Sequence, residues 1–222
     1  MNIQISQKLA SISNYVFAKV DNEVAKLKAA GITPIDFGVG DPKEPTPEIV
    51  RKAIKESVDK RKSSGYPSYN GSEEYRQEIS KWTKRRFGVN LDYNKEITSS
   101  VGAKEAVFNF PQAFLNQGNF IISPNPGYPP YEKGTLFAGG KSYFVPLLKE
   151  NNFLMGLDKI PREIVKKTRI LWINYPNNPT GAVATGKFLK EVIDFGYDNN
   201  IIIASDECYT EIYFDEKPHS IL

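Results

Sequence analysis

A single cysteine, Cys208, leaves no partner for a disulfide within the chain and fits a reducing compartment. The only histidine, His219, lies in a polar stretch and reads as solvated; with no cluster of His, Cys, Asp and Glu at ligand spacing, no metal is expected. No apolar run approaches bilayer-spanning length, and the opening Met1-Asn-Ile-Gln-Ile lacks the charged and apolar regions of a signal peptide, so a cytoplasmic protein with no membrane partner is expected. Neither a G-x-G-x-x-G nor a Walker sequence follows a strand, which disfavours a nucleotide-binding α/β protein. Charge of one sign is scarce too: 29 Lys and Arg stand against 26 Asp and Glu, a net charge of +3. The one basic cluster, Lys81 to Arg86, falls on a Glu-rich helix and reads as a solvated face, so no nucleic acid is expected as a partner. There is no internal repeat and no low-complexity segment.

What is present is enough for one large domain with a fragment of a second: 222 residues, 40% hydrophobic and 25% charged. A compact chain of this length buries roughly three quarters of its unfolded surface. The stretch Arg169 to Tyr209 organises it. Arg169-Ile-Leu-Trp-Ile173 is a short apolar run. Thr185 to Asn199 then carries Phe188, Leu189, Val192, Ile193 and Gly196 at helical spacing, and Ile201-Ile-Ile-Ala204 is a second apolar run. Two strands joined by one amphipathic crossover lie parallel, so their carboxyl ends share an edge. On those ends sit Asn174-Tyr-Pro-Asn-Asn-Pro-Thr-Gly181 and Ser205-Asp-Glu-Cys-Tyr209, at the edge where open α/β sheets bind ligands.

Upstream, residues to Ala30 read as one helix with Leu9, Ile12, Val16, Val20, Val24 and Leu27 in a stripe, closed by Gly31. Ile35 to Pro42 reads as a brief strand breaking into Gly38 and Gly40. Thr46-Pro47-Glu48 opens a helix with Thr46 as N-cap and a buried face of Ile49, Val50, Ala53, Ile54 and Val58. After the turn Gly65 to Gly71, Ser72 caps a helix with Tyr75, Ile79 and Trp82 on one side and a stop at Gly88. Strand, helix, strand follows: Glu96 to Ser100, a helix from Val101 that carries Pro111 and reaches Asn116 or Gly118, and Asn119 to Ser123. Tyr131 to Phe137 and Ile160 to Lys167 are read as helices and Ser142 to Val145 as a strand. Such alternation predicts an α/β fold, a mostly parallel sheet with helices on both faces.

Four loops on that edge carry chemistry. Gly102-Ala103-Lys104 follows a strand and begins a helix, so its free amides and dipole suit an anion such as phosphate; alone, many such starts bind nothing. Asp206 tips a buried strand, where burial disfavours a lone carboxylate's charge. No basic partner is near in sequence. A ligand cation would serve, and capping of the following turn is the other reading. Asn125-Pro126 and Asn178-Pro179 are strand-end steps at which a cis bond is open. Tyr128 offers a ring to a flat heterocycle or to the core. Cys208 reads as a small buried side chain.

In order and spacing, Gly38-Val-Gly-Asp-Pro42, Tyr66, Gly71, Gly102-Ala-Lys-Glu-Ala106, Asn125-Pro-Gly-Tyr128, Asn177-Asn-Pro-Thr-Gly181 and Asp206-Glu-Cys-Tyr209 resemble the fold-type I, pyridoxal-phosphate-dependent aminotransferases of class I/II. Asp36 to Pro47 and Gly134 to Gly140 look most like the branch that includes LL-diaminopimelate and succinyldiaminopimelate aminotransferases. The resemblance implies an amino-acid biosynthetic homodimer that moves an amino group between an amino acid and a 2-oxo acid, with pyridoxal 5'-phosphate as cofactor. It implies that Ala103 and Lys104 hold the cofactor phosphate, that Tyr66 reaches the phosphate of the neighbouring subunit, and that Tyr128 stacks on the ring. It further implies that Asn178 and Tyr209 bond the ring's phenolic oxygen, that Asp206 keeps the ring nitrogen protonated, and that Gly40 lies against the substrate carboxylate. Domains follow: 1–45, a helix and segment associated with the small domain, and 46–222, the cofactor-binding large domain lacking its C-terminal strands.

The family's Schiff-base lysine lies in a Ser-x-x-Lys element after the Asp-x-x-Tyr motif, and its carboxylate-binding arginine later still. Lys217 sits in a charged loop and Ser57-Val-Asp-Lys60 on the outer face of an early helix, so neither matches. The expectation is an amino-terminal portion, inactive alone, with the lysine beyond Leu222 and no catalytic residue within the chain. Two other readings stand beside it: a catalytically inactive remnant serving as a binding module, and a pyridoxal-phosphate-dependent C–S lyase.

Overall fold

The computed structural model describes residues 3–12, 16–35, 40 and 44–222. They fall into two compact units, divided between Pro67 and Ser68.

The first unit holds three helices. The stripe read as one helix is two, α1 (Gln7–Ala10), which Ser6 caps by accepting from the Leu9 amide, and α2 (Val16–Ala29). α2 ends as expected at Gly31, whose φ of +79° allows paired bonds from the Gly31 and Ile32 amides back to the carbonyls of Lys28 and Leu27. The brief strand at Ile35 to Pro42 falls largely outside the described residues. α3 (Glu48–Lys60) begins one residue later than the sequence suggests: Pro47 is itself the N-cap, leaving Thr46 outside the helix, and no side chain caps it. Its apolar face is not buried. Ile49, Val50, Ile54 and Val58 are 43–78% exposed, because a periodic stripe shows which face seeks cover and not what covers it.

The second unit opens with α4 (Glu73–Phe87), started by the Ser72 hydroxyl and stopped by Gly88 at φ +79°, as expected. Here too the buried face is corrected. Arg76 and Thr83 are buried, while Tyr75 is 56% and Trp82 36% exposed. Polar side chains go inward because backbone carbonyls await them: Arg76 donates to Tyr93 O and Ser80 to Leu91 O. These bonds fasten the segment 89–100, which is not the expected strand. Ile97 is buried and the Ser99 amide bonds to Asn70 O, but among the described residues no strand pairs with it. At that contact Gly71 has φ +93°, and a Cβ there would run into the Ser99 side chain.

α5 (Ala103–Phe114) leads through a five-residue turn into β1 (Phe120–Asn125). α6 (Pro129–Phe137), β2 (Lys141–Pro146), two short 3-10 turns and α7 (Arg162–Val165) follow. The unit closes with β3 (Thr168–Asn174), α8 (Gly186–Asn199), capped by the Thr185 hydroxyl, and β4 (Ile202–Asp206). The four strands form one sheet in the order β2-β1-β3-β4, every pairing parallel, with Asn174 opposite Asp206 at the end of the last pair.

Strand side chains alternate between two cores. Ile122, Leu171 and Ile173 meet Phe188, Leu189 and Val192 of α8 on one face. Ile121, Ile170, Trp172 and Ala204 meet Val107 of α5 and Tyr131 of α6 on the other. Each fully buried Ile or Leu contributes about 1.5–3 kcal/mol. Exposed pairs such as Lys190–Asp194 add only about 0–1 kcal/mol, so the two cores set the strand positions. Two close approaches tighten them: a Cβ on Gly134 would sit 2.5 Å from Phe108 O of α5, and one on Gly196 2.8 Å from Ile203 Cγ1.

Candidate functional site

Four loops meet the carboxyl edge of this sheet, and each keeps its place for a local reason. α5 precedes β1 by a short turn and packs on the sheet through Val107, so it runs back along the strands and its N-terminus faces that edge. Gly102 is its N-cap at φ +76°, ψ 157°, with no side chain capping it. Ala103 and Lys104 follow, both exposed, so the first amides of the helix face solvent with the positive end of its dipole. Such a start suits an anion, and the Glu105 carboxylate of its first turn is already bonded by the Val101 amide.

The loop after β1 brings Tyr128 to the head of α6. Its ring is half-buried and meets Tyr131 edge-on at 5.8 Å, part of the core under α5. The loop after β3 is folded by its own amides: Asn177 Oδ1 accepts from the Thr180 amide at 3.2 Å and its hydroxyl at 2.7 Å. Asn125-Pro126 and Asn178-Pro179 are both cis, as is Tyr175-Pro176. Asn174, buried at the end of β3, donates from Nδ2 to the Asp206 carbonyl and accepts on Oδ1 from the Asn178 amide, each at 2.9 Å. Asn178 Nδ2 in turn donates to the Tyr209 hydroxyl at 3.2 Å. One buried amide thus ties two strand ends to the Asn178–Tyr209 pair.

Asp206 ends β4, half-buried. Its Oδ2 accepts from the Tyr131 hydroxyl at 2.7 Å, and its Oδ1 from the Cys208 amide at 3.4 Å. The turn-capping reading of this carboxylate therefore holds, alongside a partner 75 residues away that the sequence did not show. Tyr131 is fully buried and stacks on Trp172 at 4.8 Å and 15°. Burial first, then the charge of Asp206 and the bond to it, push the Tyr131 hydroxyl far above the ordinary tyrosine range, so it stays a donor. Cys208 is exposed as a residue, not the small buried side chain expected, because its turn lies beyond the end of the strand. Its thiol is nevertheless pushed up to about 12, by desolvation first and then by the Asp206 carboxylate beside it.

The second unit therefore brings the sequence-singled pair Asn178 and Tyr209 into contact and places Asp206 among donors. Tyr66 and Gly40 lie in the first unit, both exposed. Tyr131 and Asn174 were missed. The only signals for them were a second aromatic one helical turn after Tyr128 and an amide closing an otherwise apolar strand. Such an edge offers amides to an anion, a carboxylate to a protonated ring and a donor pair to a ring oxygen. Among the described residues no group of His, Cys, Asp and Glu is arranged to hold a metal, and no helix is long and apolar enough to cross a membrane.

A family model described as aminotransferase class I and II matches residues 32–221. The chain is 46% identical over 220 residues to the LL-diaminopimelate aminotransferase of Aquifex aeolicus, covering 99% of this chain and 57% of that protein. It is 43% identical over 222 residues to LL-diaminopimelate aminotransferase 2 of Trichormus variabilis, with the same coverage. Among solved structures, apo-BacF from Bacillus subtilis superposes with a TM-score of 0.92 at 32% identity, over all of this chain and 56% of that one. An aspartate aminotransferase of Thermus thermophilus gives 0.91 at 26%, over 99% of this chain and 57% of that one. The chain spans about 57% of the length of the curated relatives it matches.

Proposed function

Because the chain belongs to the class I and II aminotransferases, we propose that its second unit is the coenzyme cradle of a pyridoxal-phosphate-dependent enzyme. That enzyme moves an amino group between an amino acid and a 2-oxo acid. The observation that supports it most is the convergence on one sheet edge of an uncapped helix start, a carboxylate and the Asn178–Tyr209 pair.

These residues fit the coenzyme's chemistry group by group. The amides of Ala103 and Lys104 would take the phosphate, since the carboxylate of that first turn, Glu105, accepts from the Val101 amide instead. Tyr128 would lie on the ring. Asn178 and Tyr209, already sharing a hydrogen bond, would both turn to its phenolic oxygen. Asp206 would take the ring N–H, with Tyr131 and the Cys208 amide holding the carboxylate in place. When bound, the ring supplies an electron sink for the pair left as the substrate carbon loses its proton. Asp206 favours that role because a carboxylate beside the ring nitrogen keeps the nitrogen protonated, each pKa unit being about 1.4 kcal/mol. Tyr66 of a neighbouring subunit in a homodimer would complete the phosphate site, and Gly40 would flank the substrate carboxylate.

For substrate, the resemblance of Asp36 to Pro47 and Gly134 to Gly140, together with the names of the relatives at 41–46% identity, supports an LL-diaminopimelate-type amino acid. Equilibrium dialysis of the 222-residue chain against pyridoxal phosphate tests the cradle. Saturable one-site binding, weakened by inorganic phosphate and by Asp206→Asn, supports the reading. Uptake that neither changes overturns it.

A further inference from the structure

The basic cluster at the end of α4 is not wholly a solvated face. The Arg86 side chain is 10% exposed. Its Nε donates to Glu211 Oε1 at 2.8 Å, and its Nη2 to the carbonyls of Thr210 at 3.3 Å and Pro218 at 3.1 Å. These bonds reach across 124 to 132 residues of sequence, and every acceptor lies in the segment just after Asp206-Glu-Cys-Tyr209.

That segment is neither strand nor helix, so side-chain bonds must shape it. Glu207 is tied inward: its Oε1 accepts from the Ser205 hydroxyl at 2.8 Å and the Ile221 amide at 3.0 Å. Thr210 is buried, its hydroxyl donating to Glu207 O at 3.1 Å. Arg86 adds the tie to a rigid element, since α4 is capped at both ends and the guanidinium lies over the Phe87 ring at 4.8 Å. Between Glu207 and Thr210 stands Tyr209, whose hydroxyl meets Asn178.

We propose that Arg86 is a positioning residue for Tyr209: by gripping the Thr210 carbonyl and the Glu211 carboxylate, it fixes the turn from which the Tyr209 hydroxyl reaches Asn178. It thereby sets the spacing of the donor pair meant for the coenzyme oxygen. That last consequence rests on the coenzyme reading above; the positioning itself does not. The geometry calls for arginine specifically. Three acceptors in three directions match the fixed fork of guanidinium donors, and an ammonium on a flexible stem cannot hold all of them together.

The test places 3-fluorotyrosine at position 209 of the full chain and follows its fluorine resonance without coenzyme. Arg86→Lys is expected to shift or split the resonance, while Arg85→Lys, an exposed neighbour on the same helix, leaves it in place. In parallel, Arg86→Lys is expected to weaken pyridoxal phosphate binding about tenfold, on the order of one charge-assisted hydrogen bond, at temperatures where both variants are folded. An unmoved resonance with a lowered melting temperature overturns the proposal and leaves Arg86 a mere brace. Should Arg86→Lys fail to fold, Glu211→Gln, which weakens one grip and keeps the guanidinium, carries the same fluorine readout with the same two outcomes. If the unsubstituted chain takes up no pyridoxal phosphate, the cradle reading falls while the fluorine arm still decides the role of Arg86.

Discussion

The Tyr131 hydroxyl donates to Asp206 Oδ2 at 2.7 Å from a ring wholly shut off from solvent. The same ring stacks on Trp172 and meets Tyr128 edge-on, so one side chain touches both the carboxylate and the aromatic proposed to lie on the coenzyme ring. Tyr131→Phe keeps the stack and removes the donor. A hydrogen bond to a charged group contributes about 1.5–3 kcal/mol, and the variant is expected to lose that much in urea unfolding and to bind pyridoxal phosphate more weakly. Unchanged binding would show that Asp206 needs no support from α6.

Alkaline pH should weaken the fold in a defined order. The Cys208 thiol, pushed up to about 12, and the buried hydroxyls of Tyr131 and Tyr175, also pushed up, stay protonated in the folded chain where they ionise in the unfolded one. The unfolded state therefore holds fewer protons, and stability, complete below about pH 8.5, falls as pH rises, first through the cysteine and then from about pH 10 through the tyrosines. Urea midpoints at pH 8, 9.5 and 10.5 are expected to decline, and Cys208→Ser to flatten the first step.

Asp206 also guards that thiol. Its charge and hydrogen bond are among the causes of the raised Cys208 pKa. Asp206→Asn is expected to shift the pH profile of iodoacetamide alkylation to lower pH, with the solvent exposure of the turn unchanged. An identical profile would leave desolvation as the whole cause.

At the start of α5 the amides, not the lysine side chain, are expected to hold phosphate. Lys104→Ala should leave most of the competition by inorganic phosphate intact. Gly102→Ala should abolish it and cost about 1–3 kcal/mol, because φ +76° with ψ 157° is a region side chains avoid even where space is open. The reverse ranking in dialysis would give the anion to the side chain.

Gly134→Ala probes the seam between α5 and α6. A Cβ there meets the Phe108 carbonyl at 2.5 Å, and backbone yields little, so a loss of about 1–3 kcal/mol is expected in thermal unfolding.

What sequence could show follows the range of the forces involved. The unit Arg169 to Tyr209 was legible because its strand, crossover and strand repeat their own periods, and Ser72 and Gly88 because caps are local chemistry. Glu96 to Ser100 misled because a strand needs a neighbouring strand, and among the described residues its Ser99 amide bonds to the turn residue Asn70 instead. The face of α4 misled because Arg76 and Ser80 pair with carbonyls a loop away. Tyr131 escaped because its partner is 75 residues distant. At the site, Asn178 and Tyr209 were singled out by the family resemblance and not by spacing, and their mutual hydrogen bond is what the structure adds.

The pairing of Asn174 with Asp206 makes the link from α8 to β4 a matter of parity. Ala204 and Asp206 meet the layer of Tyr131 and Ile203 that of α8, and alternation puts Ser205 on the side of Ile203. One residue inserted between Asn200 and Ile202 would keep the strand while turning the acid toward the wrong layer and leaving a serine hydroxyl in its stead. A slip of two would restore the face but carry the acid roughly 6.6 Å along the strand, away from Tyr131, so relatives that preserve the carboxylate should keep the length of this link.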